Sequence, residues 1–252
     1  MAKPDTRFMG VSAIKQGREE AFLPALEAVR GELRTQLVSM GAAACSLFRL
    51  GRYLFLYAEL PEQQSGGPNA TAAGTALPQS AEPDSALLQA ERLWDMTGLR
   101  PLLDAWPSLQ AEASFVLRMN DIFHDDVPMD DVPWRRPDWK PAQRHGKLAR
   151  LKPAMYSSYV YLHYQLQEEL PRKFNKYYMI GSFGAYIFSY AESPGLVEPS
   201  RAGLLDSKQT PSDWPAAMLP HFEPWGPEVS EEEQLWRDLQ PLFHFGDPGE
   251  RE

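Results

Sequence analysis

The chain is poor in the groups that usually announce a function. It has one cysteine, Cys45, which excludes an intramolecular disulfide and any multi-cysteine metal site. No segment is long and apolar enough to span a bilayer. The N-terminal stretch lacks the basic, apolar and small-residue order of a secretory signal, so a cytoplasmic protein without a membrane partner is the expectation. Cations are outnumbered: 25 Lys and Arg against 34 Asp and Glu give a net charge of −9, which argues against a nucleic-acid partner or an anionic membrane. There is no phosphate-cradling glycine loop, no zinc motif and no nucleophile elbow. Asp125, Asp126, Asp130 and Asp131 lie in a proline-rich stretch without a calcium-loop pattern and read as a solvated acidic run.

What the chain does have is a repeat. Residues 53–60 read Tyr-Leu-Phe-Leu-Tyr-Ala-Glu-Leu and residues 186–193 read Tyr-Ile-Phe-Ser-Tyr-Ala-Glu-Ser, at an offset of 133 that also relates Gly51 to Gly184. Such a period is too long for a solenoid and points to a duplicated domain. In the first copy, Arg7 to Lys15 reads as a strand. Phe22, Leu26, Val29, Leu33 and Leu37 follow at helical spacing, with Pro24 and Gly31 weakening the pattern and Gly41 as a stop signal. Ala43 to Leu50 and Tyr53 to Leu60 form a hairpin around Gly51-Arg52. Residues 61–86 are rich in Gly, Ser, Ala, Gln and Pro and read as a flexible insertion. A helix from Asp84 to Ala105 and a closing strand from Phe115 to His124 complete the unit.

Residues 125–146, with Pro128, Pro133, Pro137 and Pro141, read as a linker whose Trp134 and Trp139 pack on a domain surface. The second copy, residues 147–246, repeats the order. A strand runs from His145 to Lys152, a helix from Ala154 to Leu170 is ended by Pro171, and a hairpin joins Lys176–Phe183 to Tyr186–Ser193. A proline-broken helical stretch from Trp214 to Trp225 precedes a closing strand from Leu235 to Phe245. Strand, helix, strand, strand, helix, strand is the ferredoxin-like order. The hairpin strands are apolar on both faces, so both faces need cover. The predicted fold is therefore α+β: two tandem ferredoxin-like units, 1–124 and 147–246, packed sheet to sheet as an intramolecular dimeric α/β barrel. The chain would be a monomer with an internal pseudo-dimer, or a homodimer.

The copies disagree on their first helices. Aligning Glu32-Leu33 with Glu169-Leu170 sets Phe22 against Tyr159 and Leu26 against His163. Hydrocarbon in one copy faces two ionisable groups in the other, and these share one helix face. The pattern Tyr159-x-x-x-His163-x-x-x-x-x-Glu169-Leu170 resembles the L-rhamnose mutarotases. So do Phe188-Ser-Tyr-Ala-Glu192, with Tyr190, the pair Trp214-x-x-x-Met218, and the terminal Leu242-Phe243-His244. The resemblance covers 146–246, and 7–124 more weakly through the repeat.

The resemblance implies a cofactor-free isomerase of the racemase and epimerase type. It would interconvert the anomers of a monosaccharide such as L-rhamnose or another 6-deoxy sugar, with His163 as acid/base and Tyr159 beside it. Trp214, Met218, Tyr190 and His244 would contact the sugar. The family usually carries two adjacent tryptophans where this chain has Trp214-Pro215. The first copy would be a non-catalytic partner that completes the barrel. Mutarotation suits a group that both takes and returns a proton, and histidine is the natural choice.

Two rivals stand beside this reading: a sugar or small-molecule binding barrel without catalysis, and an α/β barrel that binds haem or oxidises aromatic compounds. Each residue also has a packing role to weigh. His163 and Tyr159 could be hydrogen-bonded core residues, and Trp214 a core plug. His124 and His244, duplicated at strand ends, look structural. Glu59 and Glu192, also duplicated, are expected to pair with a nearby Lys or Arg.

Overall fold

The computed structural model describes residues 5–61, 85–107, 113–127, 134–199 and 202–250. The predicted insertion falls almost wholly outside these residues, as do Asp130 and Asp131. The described chain forms two antiparallel five-stranded sheets with helices on their outer faces.

The first sheet holds β1 (Asp5–Ala13), β2 (Ala44–Leu50), β3 (Tyr53–Pro61) and β4 (Leu117–Arg118). The second holds β5 (Asn120–His124), β6 (Gln143–Arg150), β7 (Met179–Phe183), β8 (Tyr186–Ser193) and β9 (Trp236–Asp238). The last strand, β10 (Gln240–Phe245), returns to the first sheet. The strand orders β10-β2-β3-β1-β4 and β5-β7-β8-β6-β9 correspond position by position.

Both hairpins turn on a glycine placed first, Gly51 at φ +57° and Gly184 at φ +56°, a conformation that L side chains resist. The helix predicted across 22–37 divides at Val29 into α1 (Glu19–Ala28) and α2 (Arg30–Ser39). Pro24 is absorbed inside α1. The end of α2 is a Schellman cap: Gly41 takes φ +70°, its N–H reaches the Val38 carbonyl at 2.9 Å, and the Ala42 N–H reaches that of Leu37 at 3.0 Å. The next helix, α3 (Ser85–Met96), stops at Gly98 rather than running to Ala105.

The predicted closing strands are each split between sheets. After β4 pairs with β1, Met119 crosses the inter-sheet layer and β5 pairs with β7. After β9 pairs with β6, Leu239 crosses in the same way and β10 pairs with β2. Each half of the chain thus lends its last strand to the other half's hairpin. The register slips at equivalent points, between Asp121 and Phe123 and between Pro241 and Phe243. The expected boundary at 124 therefore falls at the end of a strand that belongs to the second sheet.

Alternation of side chains divides the interior into three layers. Leu54, Leu56, Ala58 and Leu60 face α1–α3, while Phe55 and Tyr57 face the second sheet. Phe188 and Tyr190 meet them there: Phe55 and Phe188 lie 5.4 Å apart, and Tyr57 stacks on Tyr190 at 3.8 Å with 10° between the planes. Gly146 admits the Phe48 ring, whose carbons lie 2.7 Å from where a Cβ would stand.

One end of this layer closes on a buried charge cluster. Arg135, 1% exposed, donates from Nε and Nη2 to Glu59 at 2.8 and 2.7 Å and from Nη2 and Nη1 to Glu192 at 2.7 and 3.2 Å. The Tyr57 and Tyr190 hydroxyls donate to the same two carboxylates at 2.8 and 2.6 Å, and Trp139 Nε1 adds a bond of 2.6 Å to Glu192. Both carboxylates have thus found an arginine partner, as expected of the duplicated glutamates. The linker is no loose spacer, for it supplies Arg135 together with Trp134, which is buried under the Arg7 and Lys176 cations. The solvated acidic run is also corrected: Asp125 and Asp126 are 2% and 4% exposed. Asp125 accepts from the Phe174 N–H at 2.9 Å, and Asp126 pairs with Arg172 at 2.8 Å.

Candidate functional site

The second helical cover consists of α4 (Tyr156–Glu169) and the short α5 (Trp214–Met218), which continues as a 3-10 turn over Leu219–His221. Pro153 opens the 3-10 turn that leads into α4, and Pro171 follows its end. The buried face of α4 carries Tyr159, His163 and Leu166, while Tyr161 and Tyr164 point to solvent. Asp213 caps α5 by accepting from the Ala216 N–H at 3.1 Å, and Pro215 sits in its first turn, where no donor is lost.

Between these helices and the outer face of the second sheet lies a cleft of about 580 Å³, within the range of small-ligand sites. Tyr159, His163, Trp214 and Met218 all line it, with Ile180 and Phe222 among its apolar walls. The rings are in contact: Tyr159 and His163 at 4.0 Å, and His163 and Trp214 at 5.0 Å, edge to face. Beneath them Phe123 of β5 meets His163 at 5.9 Å, so a strand from the first half of the chain backs the histidine without lining the cleft.

The imidazole of His163 is 5% exposed and is fixed by its own helix. Its Nδ1 lies 2.9 Å from the Tyr159 carbonyl, an arrangement that requires Nδ1–H and leaves Nε2 as an acceptor. Burial, with a smaller contribution from His221, lowers its pKa from 6.5 to about 4. Burial pushes the Tyr159 hydroxyl well above 10, so it remains a donor at any ordinary pH. His221 is itself held, with Nε2 2.9 Å from Ser158 Oγ and Nδ1 3.2 Å from the Met218 carbonyl.

Glu169, the acid of the Glu-Leu pair, does not enter the cleft. Its carboxylate accepts from Ser207 Oγ and Thr210 Oγ1, both at 2.6 Å, and from the backbone N–H groups of Gln209 and Thr210 at 3.0 and 2.9 Å. These bonds, with one from Gln165, hold its pKa well below the usual carboxylate range. They pin the loop that delivers Asp213 and Trp214, so Glu169 positions the cleft's wall.

Two residues expected at the site lie elsewhere. Tyr190 faces the inter-sheet layer, opposite the α4 side, because its parity on β8 is that of Phe188. His244 sits on β10 in the first sheet, with Nδ1 3.2 Å from Ser46 Oγ and its ring 5.5 Å from Phe48. His124 is engaged by Asp121 at 2.8 Å. Cys45 is buried, and burial raises its thiol to about 12. The residues missed were Tyr178 and Trp236, which line the cleft, and Phe123 and His221, which pack against His163 and Tyr159. Only Phe123 left a trace in the sequence, as the offset of 120 that links Ile122-Phe123-His124 to Leu242-Phe243-His244.

No family model and no curated protein matches the chain. Among solved structures, a protein of Fusobacterium nucleatum subsp. nucleatum described as a "Putative monooxygenase" is similar over 97% of this chain and 95% of its own, at 8% identity and a TM-score of 0.41. Likeness at that level bears on neither fold family nor function.

Proposed function

We propose that the α4–α5 cleft binds a monosaccharide and speeds the exchange of its anomers, as a cofactor-independent, L-rhamnose mutarotase-like isomerase. The observation that carries this reading is the convergence of Tyr159, His163, Trp214 and Met218 on one cleft of about 580 Å³. His163 Nε2 takes the proton of the anomeric hydroxyl as the C1–O5 bond breaks and C1 becomes a carbonyl. The imidazolium so formed returns the proton to the ring oxygen. After rotation about C1–C2 the steps reverse, and no net proton is gained or lost. An imidazole held near 4 is a weak base but a strong acid once protonated, so the return step is the easier one. Tyr159 holds a sugar hydroxyl, and Trp214 and Met218 offer the apolar wall that suits a 6-deoxy carbon.

The same reading takes the chain as two tandem ferredoxin-like units closed into an intramolecular α/β barrel, working in the cytoplasm as a monomer with an internal pseudo-dimer. The matching strand orders and equivalent register slips support it.

Magnetisation-transfer NMR between the anomer signals of L-rhamnose and related 6-deoxy sugars tests the activity. The expected result is exchange accelerated by the wild-type protein and lost in His163→Ala with the fold intact. Exchange at the uncatalysed rate across the panel would overturn it.

A further inference from the structure

A second cavity, of about 550 Å³, lies between the two sheets at the hairpin end, away from α4 and α5. Val11, Leu50, Tyr53 and Phe55 line it from the first sheet; Leu148, Phe183, Tyr186 and Arg237 line it from the second. Trp225 closes one side, tilted against Tyr186 with ring centres 6.3 Å apart. The walls are thus aromatic and aliphatic, and the charged side chains among them are Arg52 and Arg237.

The polar groups at this end have one character. Five buried N–H donors lack a hydrogen-bond partner: Arg52 Nε, Arg237 Nε, Trp225 Nε1, Arg150 Nε and Trp106 Nε1. Three belong to lining residues. The other two belong to side chains packed on the lining, Arg150 4.7 Å over Trp225 and Trp106 5.1 Å from Phe183. Arg52 pairs with Asp104, and Arg150 donates to the Pro224 carbonyl. Arg237 makes no ion pair among the described residues and lies 5.5 Å over the Trp225 ring. The opposite end of the same layer also has unmet donors, on Arg7, Trp134 and Arg144, and differs in its acceptors. There the chain surrounds one buried arginine with two carboxylates. A guanidinium that lines an apolar cavity without an ion pair among the described residues favours an anionic acceptor from outside the chain.

We propose that this inter-sheet cavity is a binding site for a small planar aromatic carboxylate. The ring lies among Phe55, Phe183, Tyr186 and Trp225, and the carboxylate meets the Arg237 guanidinium and the Trp225 N–H. A carboxylate supplies the acceptors these donors lack, and arginine receives it through paired hydrogen bonds. The aromatic body matches the aromatic and aliphatic walls. The site is independent of His163 and stands whether or not the α4–α5 cleft turns over sugars.

Calorimetric titration with 2-naphthoate, and with 2-naphthamide as its uncharged counterpart, decides the matter. The carboxylate should bind at least about tenfold more tightly than the amide, the usual worth of a charge-assisted bond. Arg237→Gln should erase that preference while both ligands still bind. Trp225→Phe should weaken both ligands, the carboxylate more than the amide. Binding should persist in His163→Ala, which separates this site from the sugar cleft. Near-UV circular dichroism establishes that each variant keeps its packing. Absence of naphthoate binding, equal affinity for the amide, a preference retained in Arg237→Gln, or loss of binding in His163→Ala would each overturn the proposal.

Discussion

The two helical covers rest on sheets of corresponding strand order and yet do different things. Over the first sheet, α1, α2 and α3 are closed hydrocarbon: Phe22 and Leu26 are buried against Trp94, whose indole N–H is met by Ser12 Oγ at 3.1 Å. Over the second sheet, the buried face of α4 carries Tyr159 and His163, and α5 has 5 residues where α3 has 12. The shorter cover leaves the cleft. The cover with the shorter helix and the polar pair is thus the one with a cleft, and the polar pair lines it. The polar pair is tolerated because the imidazole borrows a carbonyl from its own helix.

The largest effect is expected where the two sheets are treated alike. Arg135→Ala would leave Glu59 and Glu192 buried with no arginine between them, which should cost about 3–5 kcal/mol in urea unfolding, as when one partner of a buried pair is removed. A loss under about 1 kcal/mol would show that the cluster adds little to holding the sheets together. Next comes the contrast between covers. Phe22→Ala opens a void in a filled layer and should cost about 3–5 kcal/mol. His163→Ala widens a cavity that already exists and should cost about 1 kcal/mol, mostly the lost hydrogen bond. Equal losses would erase the distinction between a filled cover and an open one.

The hairpins and their faces could be read from residue order because the signals are local. A glycine placed first sets each turn, and strict alternation separates Leu54 and Leu56 from Phe55 and Tyr57. The same parity rule, applied to β8, puts Tyr190 opposite the helix side, and its assignment to the sugar site overlooked that. The exchange of β5 and β10 was not legible. A short apolar strand pairs equally well with either hairpin, and the crossing rests on single residues, Met119 and Leu239, that look like any other strand position. That exchange is also why His244 lies away from the site and Phe123 packs behind His163. Arg135 was hidden for another reason. It lies in a proline-rich stretch without periodicity, and its role depends on two carboxylates 76 and 57 residues away in the chain. The duplicated Tyr-x-Glu, on strands apolar on both faces, was the available clue that a buried cation had to come from somewhere.

The smallest effect concerns pH and distinguishes the covers again, since the first carries no histidine on its helices. Burial lowers His163 and His244 from 6.5 to about 4. Between those values the unfolded chain binds more protons than the folded one, so stability rises with pH across this window. It is fully present above about 6.5 and is lost as pH falls toward 4. His163→Phe should flatten part of that slope in urea titrations at pH 4.5, 5.5 and 7, and His244→Phe a further part. The same lowered value bears on the chemistry. If Nε2 is the base, anomer exchange at pH 5.5 should match that at pH 7, because the imidazole is still unprotonated, and should fall only as pH approaches 4. A decline centred near 6.5 would mean that the base is not the imidazole buried under α5.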